Sequence, residues 1–339
     1  MAARQQAGKR KLDGVGFSND DLVELASERF EFGMHDAGSL DRFALPRRVG
    51  CVLETSNLFH APDGTAFGRK TWSATGTTRA VVTAFHGLSG EADDFLPLAR
   101  YLNPLGIAVH APEMRGQGKD PLPSRRGGLT SMAPVLADIE AFSKETAAAF
   151  PGVPLFEYGE SMGAMLLVHR HSKTPHPIPH VRGLILASPV IALKFTPNQW
   201  QRMVFTSCTT CLPWVRIMPE KFSSGDPMER IMTRDTDRQS YIESAPHRLN
   251  RVSLGFIGAL TRAVQSSSGL APDLTKPALA LAGGHDSFVR PEQVREFAKA
   301  APDVEFTEYP DSYHLLLHDH DREAVLARIA DWLETKIAG

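Results

Sequence analysis

The sequence predicts an α/β fold, a mainly parallel sheet covered by helices on both faces. Three observations carry this. RAVVTAFHG (79–87), GIAVHAPEM (106–114) and VRGLILASPV (181–190) are short continuous apolar runs, the composition of strands buried on both faces. Segments of helical period lie between and after them. Residues 131–150 carry Met132, Val135, Leu136, Ile139 and Phe142 on one face, and 321–337 carry Val325, Leu326, Ile329 and Leu333. The two kinds of segment alternate, and successive parallel strands need such crossovers.

The elements follow in order. Residues 1–17 read as a disordered polar end. SNDDLVELASERFEF (18–32) opens on an N-cap cluster and reads as a short amphipathic helix. CVLETS (51–56) and FGRKTWSA (67–74) flank the turn-rich APDGT (61–65), which predicts a hairpin. Helix 93–102 follows the first buried strand. PLFEYGE (154–160) reads as a strand and 162–171 as the helix after it. Then come the strand KPALALAGG (276–284), helix 291–300 and the strand VEFTEYP (304–310).

Bulk properties exclude several function classes. The chain has 339 residues and a net charge of −2, with no long basic run, so no nucleic-acid partner is expected. Lys9-Arg10-Lys11 is a solvated end. Three cysteines, Cys51, Cys208 and Cys211, make no disulfide framework and suit a reducing compartment. MAARQQAGKRKLDG has no apolar h-region, and no run reaches the roughly 18 apolar residues of a membrane span. A cytoplasmic protein is expected.

Chemistry enters at LFEYGESMGAMLLV (155–168). Ser161 stands between Gly159 and Gly163 where a strand gives way to a helix. A bend that tight brings backbone segments together, and glycine supplies the missing side chains. The serine hydroxyl is lifted clear beside the first free N–H groups of the helix, as in the Gly-x-Ser-x-Gly elbow of serine hydrolases. A serine needs a base, and the base needs an orienting acid. Asp286 follows one strand, and His314 follows the next after a single intervening helix. Both side chains should therefore emerge on neighbouring strand ends at the edge where ligands bind. Asp311 is the second choice of acid, but its closeness to His314 suits a local turn better. The amides of Met162 and Leu88 are the expected oxyanion donors, the latter in His86-Gly87-Leu88-Ser89-Gly90. The His86 ring should brace that loop.

These segments resemble the α/β-hydrolase superfamily, and within it the monoacylglycerol lipase and lysophospholipase-like branch. The resemblance covers roughly 50–338 and rests on AFHGLSG, Arg115-Gly116-Gln117-Gly118, GESMG, GGHDSFV and SYHLLLH. It implies the α/β-hydrolase fold, an eight-stranded mainly parallel sheet with an inserted cap. It implies Ser161, Asp286 and His314 as triad, Leu88 and Met162 as oxyanion hole, and neither cofactor nor metal. Three features depart from it. Glu113 and Lys119-Asp120 flank the Arg-Gly-x-Gly segment in place of the usual residues, Ala164 replaces a glycine, and the N-terminal 45 or so residues match nothing in the family.

The expected organisation is an N-terminal extension (1–49), a hydrolase core (50–190 and 276–339) and a cap (191–275). About 85 residues between two strands far exceed a simple crossover. Trp200, Met203, Phe205 and Trp214 in the cap are candidates to wall an acyl pocket; the same residues also read as the cap's own core or as a lip touching a membrane. Cys208 and Cys211 have CxxC spacing but no second ligand pair, and His318 and His320 read as residues capping the last helix. The reading is a serine carboxylester hydrolase for a small ester with an apolar acyl chain, of monoacylglycerol or lysophospholipid type. A thioesterase, an amidase, a cofactor-free haloperoxidase and a small-molecule sensor on the same scaffold are the alternatives.

Overall fold

The hairpin opens the sheet. Strands β1 (Glu54–His60) and β2 (Ala66–Trp72) pair antiparallel, with His60 facing Ala66. Gly64 turns the chain at φ +80°, a conformation that costs glycine little. The computed structural model describes residues 54–172, 181–192, 198–218 and 231–338. The expected helix 18–32, Cys51 and the proposed extension 1–49 lie outside them.

The remaining strands are β3 (Ala80–Phe85), β4 (Ile107–Pro112), β5 (Leu155–Glu160), β6 (Val181–Ala187), β7 (Arg216–Ile217), β8 (Val252–Ser253), β9 (Ala278–Gly283) and β10 (Val304–Tyr309). Among the described residues, eight of these ten strands form one sheet in the order β1-β2-β4-β3-β5-β6-β9-β10. From β4 to β10 every neighbouring pair is parallel. Strands β3, β4, β5 and β9 are buried along their whole length, which accounts for their unbroken apolar runs.

Side-chain alternation divides the core between the two faces. Val81, Phe85 and Leu155 point to one side, and Val82, Phe156 and Tyr158 to the other. The first side is covered by α2 (Ala133–Ala149) through Val135, Ile139 and Phe142, and by α3 (Met162–His171). On the other side lie α1 (Leu96–Leu102), with Leu98 and Leu102, and the last helix, with Val325, Ile329 and Leu333. One element differs from its sequence prediction. The expected helix 93–102 begins as a 3-10 turn over Ala92–Phe95, because Glu91 and Asp94 cap each other there. The α-helix starts only at Leu96, with Pro97 in its first turn.

The insertion between β6 and β9 is helical. It holds α4 (Gln199–Cys211), α5 (Thr236–Ser244) and α6 (Leu254–Ser267), with β7 and β8 paired as a short ribbon. Helix α6 buries Phe256, Ala259 and Val264 against the core. The chain then returns through β9, α7 (Pro291–Ala300), β10 and α8 (Arg322–Ala338). Among the described residues no helix is long and apolar enough to cross a membrane.

The strand order positions the site. From β3 the chain moves outward to β4, then returns to the far side of β3 for β5. A doubly wound sheet opens a crevice beyond its strand ends at such a reversal. Both the β3 loop and the β5 elbow stand at that point.

Candidate active site

Ser161 is held at φ 55° and ψ −113°. A non-glycine residue at positive φ is uncommon and costs on the order of 1–3 kcal/mol, met only where the surroundings enforce it. The enforcement is visible. Its N–H donates to Ala187 O at 2.9 Å, and its carbonyl accepts from Met165 N at 3.1 Å. The flanking glycines leave no room for anything larger. A Cβ on Gly163 would stand 2.0 Å from Phe85 O, and one on Gly159 would stand 2.5 Å from Ala164 N. Within 159–163 Ser161 is the one residue that is not buried.

Asp286 and His314 meet. His314 Nδ1 lies 2.7 Å from Asp286 Oδ2, and both side chains are buried. Tyr309 pairs with Gly283 at the ends of β10 and β9, which brings the two following loops side by side. The other oxygen of Asp286 accepts from the amides of Phe288 at 2.7 Å and Val289 at 2.9 Å, so the carboxylate is fixed on both sides. Asp311 is exposed to solvent. Burial pulls the His314 pKa down, but the Asp286 charge and hydrogen bond, helped by Glu160, outweigh it and leave the ring above its ordinary 6.5.

The β3 loop lies against the elbow. A Cβ on Gly87 would sit 2.9 Å from that of Ser161. His86 is buried and braces the loop: its Nδ1–H donates to Gly87 O at 2.9 Å, and its Nε2 accepts from Met114 N at 3.3 Å. Burial lowers its pKa, which suits the neutral ring that this bonding requires. Ser89 has φ 62°, and Gln117 Oε1 accepts from its amide at 3.0 Å. Leu88 is 40% exposed and Met162 is buried.

Lys119 and Asp120, which depart from the family pattern, hold this region together. Asp120 is buried and accepts from Gly116 N at 2.7 Å and Leu122 N at 2.8 Å, with Arg125 on its outer edge. Arg115 bridges Asp63 and Asp138, both at 2.6 Å. Lys119 reaches Glu91 at 2.5 Å and Glu113 at 3.4 Å. Burial pushes the Glu113 carboxyl up to about 7, with Lys119 opposing.

Several residues that bear on the site were given no role from the sequence. Ser188, just past β6 with φ 43°, donates its hydroxyl to His314 O at 2.7 Å and ties the histidine loop to the strand beside the elbow. A polar residue at a strand end was the available signal. Phe288 places its ring 5.0 Å from that of His314. Glu160 is 3% exposed, and its Oε2 has no hydrogen-bond partner among the described residues. Burial first, then the Asp94 charge, lifts its pKa to about 7, against the pull of His314 and Arg238. Arg238 on α5 pairs with Asp94, and Tyr241 donates to Glu91, which docks the cap onto the loop after β3. These contacts join residues far apart in the chain, and no local pattern announces them.

The cap residues stand differently from a closed pocket wall. Trp200 is 68% exposed, Met203 51% and Trp214 70%, while Phe205 is half-buried. Cys208 and Cys211 carry free thiols. His318 donates through Nε2 to Asp94 O at 2.9 Å.

Comparison with known proteins agrees with this architecture. The chain is 24% identical to the rat (Rattus norvegicus) monoglyceride lipase over 302 residues, covering 86% of this chain and 95% of the relative. To the human enzyme it is 25% identical over 280 residues, 80% and 88% of the two chains. Among solved structures, the monoglyceride lipase of Saccharomyces cerevisiae superposes with a TM-score of 0.72 at 21% identity, over 87% of this chain and 99% of that one. The family model Hydrolase_4, described as serine aminopeptidase S33, matches residues 76–321. That span takes in every strand of the sheet from β3 onward and the whole insertion. This chain therefore belongs to that family of the α/β-hydrolase superfamily, and it is a serine carboxylester hydrolase related to the monoacylglycerol lipases.

Proposed function

We propose that Ser161, Asp286 and His314 form the catalytic triad, with the amides of Leu88 and Met162 as the oxyanion hole. The observation that carries this is the 2.7 Å contact of His314 Nδ1 with Asp286, set on strand ends of the same sheet whose β5 elbow holds Ser161 at positive φ. In the reaction His314 Nε2 takes the proton from Ser161 Oγ as that oxygen attacks the ester carbonyl. The two amides hold the developing negative charge. His314 then hands the proton to the leaving alcohol, and water, deprotonated by the same ring, releases the acid. Asp286 keeps Nδ1 protonated and steadies the imidazolium.

The substrate we infer is an ester of an apolar acyl chain, of monoacylglycerol or lysophospholipid type. The resemblance to monoglyceride lipases supports it, as do Trp200, Met203 and Trp214, apolar side chains of the cap that a lipid chain or a membrane surface would cover. The free Cys208 and Cys211 fit the reducing interior of a cell. The domain limits at residues 49/50, 190/191 and 275/276 belong to the same proposal.

The test is a p-nitrophenyl ester series from two to sixteen carbons, run on the parent, on Phe205→Ala and on Trp214→Ala. Each buried methylene contributes about 0.8 kcal/mol, so kcat/KM should rise by one or two orders of magnitude over the first few added carbons. A preference for acetate, unchanged in both variants, would remove the acyl reading. In Ser161→Ala, turnover should fall at least about a thousandfold with the fold intact. Near-full activity would overturn the triad. Amino-acid p-nitroanilides, tested beside the esters, read out the peptidase activity named in the family description.

A further inference from the structure

A cleft of about 180 Å³ lies between the loop after β4 and the cap segment that precedes β8. Its lining includes Arg126, Arg216, Arg248, Arg251 and His247, and no carboxylate-bearing residue is among them. The chain as a whole carries a net charge of −2, so four guanidiniums gathered here are a local feature, not a reflection of composition. Arg216 and Arg126 are held by neutral acceptors. Arg216 donates to Arg126 O at 2.7 Å and to Ser124 O at 2.8 Å, and Arg126 Nε donates to Asp120 O at 2.8 Å. Among the described residues Arg126, Arg216 and Arg251 make no ion pair with a carboxylate. The acids of the adjoining loops are already committed, Asp120 to Arg125 and Glu91 to Lys119.

The cleft is built into the fold. Gly118 packs directly on the cap segment, where an added Cβ would meet His247 O at 1.5 Å. Gly127, at φ +63°, faces Arg251 O in the same way at 2.6 Å. The ribbon pairs Arg216 with Ser253, and Ser253 N donates to Gly127 O at 2.7 Å. These contacts bring Arg216 and Arg251 together across β7 and β8. The same cap segment touches the β3 loop: Leu249 N donates to Ser89 Oγ at 3.3 Å, one residue from Leu88.

We propose that this cleft binds a phosphate group. Guanidiniums offer paired donors that match phosphate oxygens, and a concave site lined by one sign of charge concentrates the opposite ion. The volume falls below the roughly 300 Å³ where drug-sized pockets begin and holds about six waters, the size of a headgroup and not of an acyl chain. The phosphate has two sources, the headgroup of a lysophosphatidate-type substrate or free inorganic phosphate acting on the enzyme. The choice between these sources rests on the ester-hydrolase reading; phosphate binding itself does not.

The experiment is calorimetric titration of the full chain with inorganic phosphate at low ionic strength, with chloride as control, on the parent and on Arg251→Gln. Arg216→Lys, which keeps the charge and loses the planar fork, is the second variant. The expected result is saturable binding by the parent, at least tenfold weaker in Arg251→Gln at unchanged Tm and weaker in Arg216→Lys. Binding is read without turnover, so it stands even if ester hydrolysis fails. Two kinetic arms separate the sources. A substrate headgroup requires kcat/KM for a 1-acylglycerol 3-phosphate to fall in Arg251→Gln while the neutral 1-acylglycerol is unaffected. Free phosphate requires that it change neutral-ester turnover in the parent and not in the variant. Parent binding no stronger than chloride, or equal in parent and Arg251→Gln, overturns the proposal.

Discussion

Glu160 and Asp286 are both buried carboxylic acids near His314, and their surroundings give them different work. Asp286 accepts two backbone amides and the imidazole, so its charge is fully met. Glu160 has an unpartnered oxygen and a pKa of about 7. Asp286→Asn should lower kcat by several orders of magnitude with little effect on folding, because the ring loses the group that fixes its tautomer. Asp311→Asn should leave kcat unchanged, since Asp311 is exposed to solvent; the reverse pattern in steady-state kinetics would move the acid to Asp311. In the proposed triad only a neutral His314 would take the serine proton, so activity should fall as pH drops through a midpoint above 6.5. The Glu160 charge helps to hold that midpoint up. In Glu160→Gln the acid limb of the kcat/KM profile should therefore move to lower pH, and an unmoved limb would separate Glu160 from the base.

The elbow is a contact between elements before it is a motif. Helix α3 starts against the end of β3, so closely that Gly163 faces Phe85 O at the distance of a missing side chain. Gly163→Ala cannot be absorbed by rotating a flexible neighbour, because the obstacle is backbone. Overpacking of this kind costs roughly 1–3 kcal/mol and displaces the parts it separates. Thermal unfolding should show a clear drop in Tm, and activity should fall further than stability, since the movement carries Ser161 away from the β3 loop. A variant with parent Tm and parent kcat would show that the approach is looser than the geometry implies. The docking of α5 through Arg238 and Tyr241 is a second contact of this sort, made by a helix with no buried residue of its own.

Buried titratable groups set how the whole molecule responds to pH. Glu113 and Glu160 are both raised to about 7 from 4.5, so the folded state holds protons that the unfolded chain gives up, and stability falls as pH rises between those values. His110 and His318 are both lowered to about 4 from 6.5, chiefly by burial. The unfolded chain takes up those protons first, so they remove stability as pH falls below 6.5. Between about pH 4.5 and 6.5 the two carboxyls oppose these imidazoles and His86, which burial also lowers, and so offset part of the stability that the parent loses on acidification. A Glu113→Gln, Glu160→Gln double variant lifts one side. Its stability should decline on acidification from pH 7 to 5 by several kcal/mol, because each tenfold difference in proton affinity between folded and unfolded chain is worth about 1.4 kcal/mol. Denaturant titrations across that range check it, and a flat double variant would mean that these histidines contribute nothing.

The parallel sheet was legible in RAVVTAFHG and its companions, because a strand buried on both faces has little choice but to be apolar. The elbow was legible for a similar reason. Gly159 and Gly163 answer a steric demand made within a few residues of chain, and so the demand is written locally. The sites of Asp286 and His314 could be read from strand ends, since the sheet brings successive parallel strands to one edge. What the chain order leaves open is contact between distant segments. Ser188 beneath His314, Arg238 against Asp94 and the arginines around Gly118 come from separate parts of the sequence. The same holds for the protonation of Glu160: its side chain is an ordinary carboxyl until the folded chain removes its water and sets Asp94 nearby. Periodicity and tight turns record short-range sterics, whereas burial and electrostatics depend on which segments the packed sheet brings together.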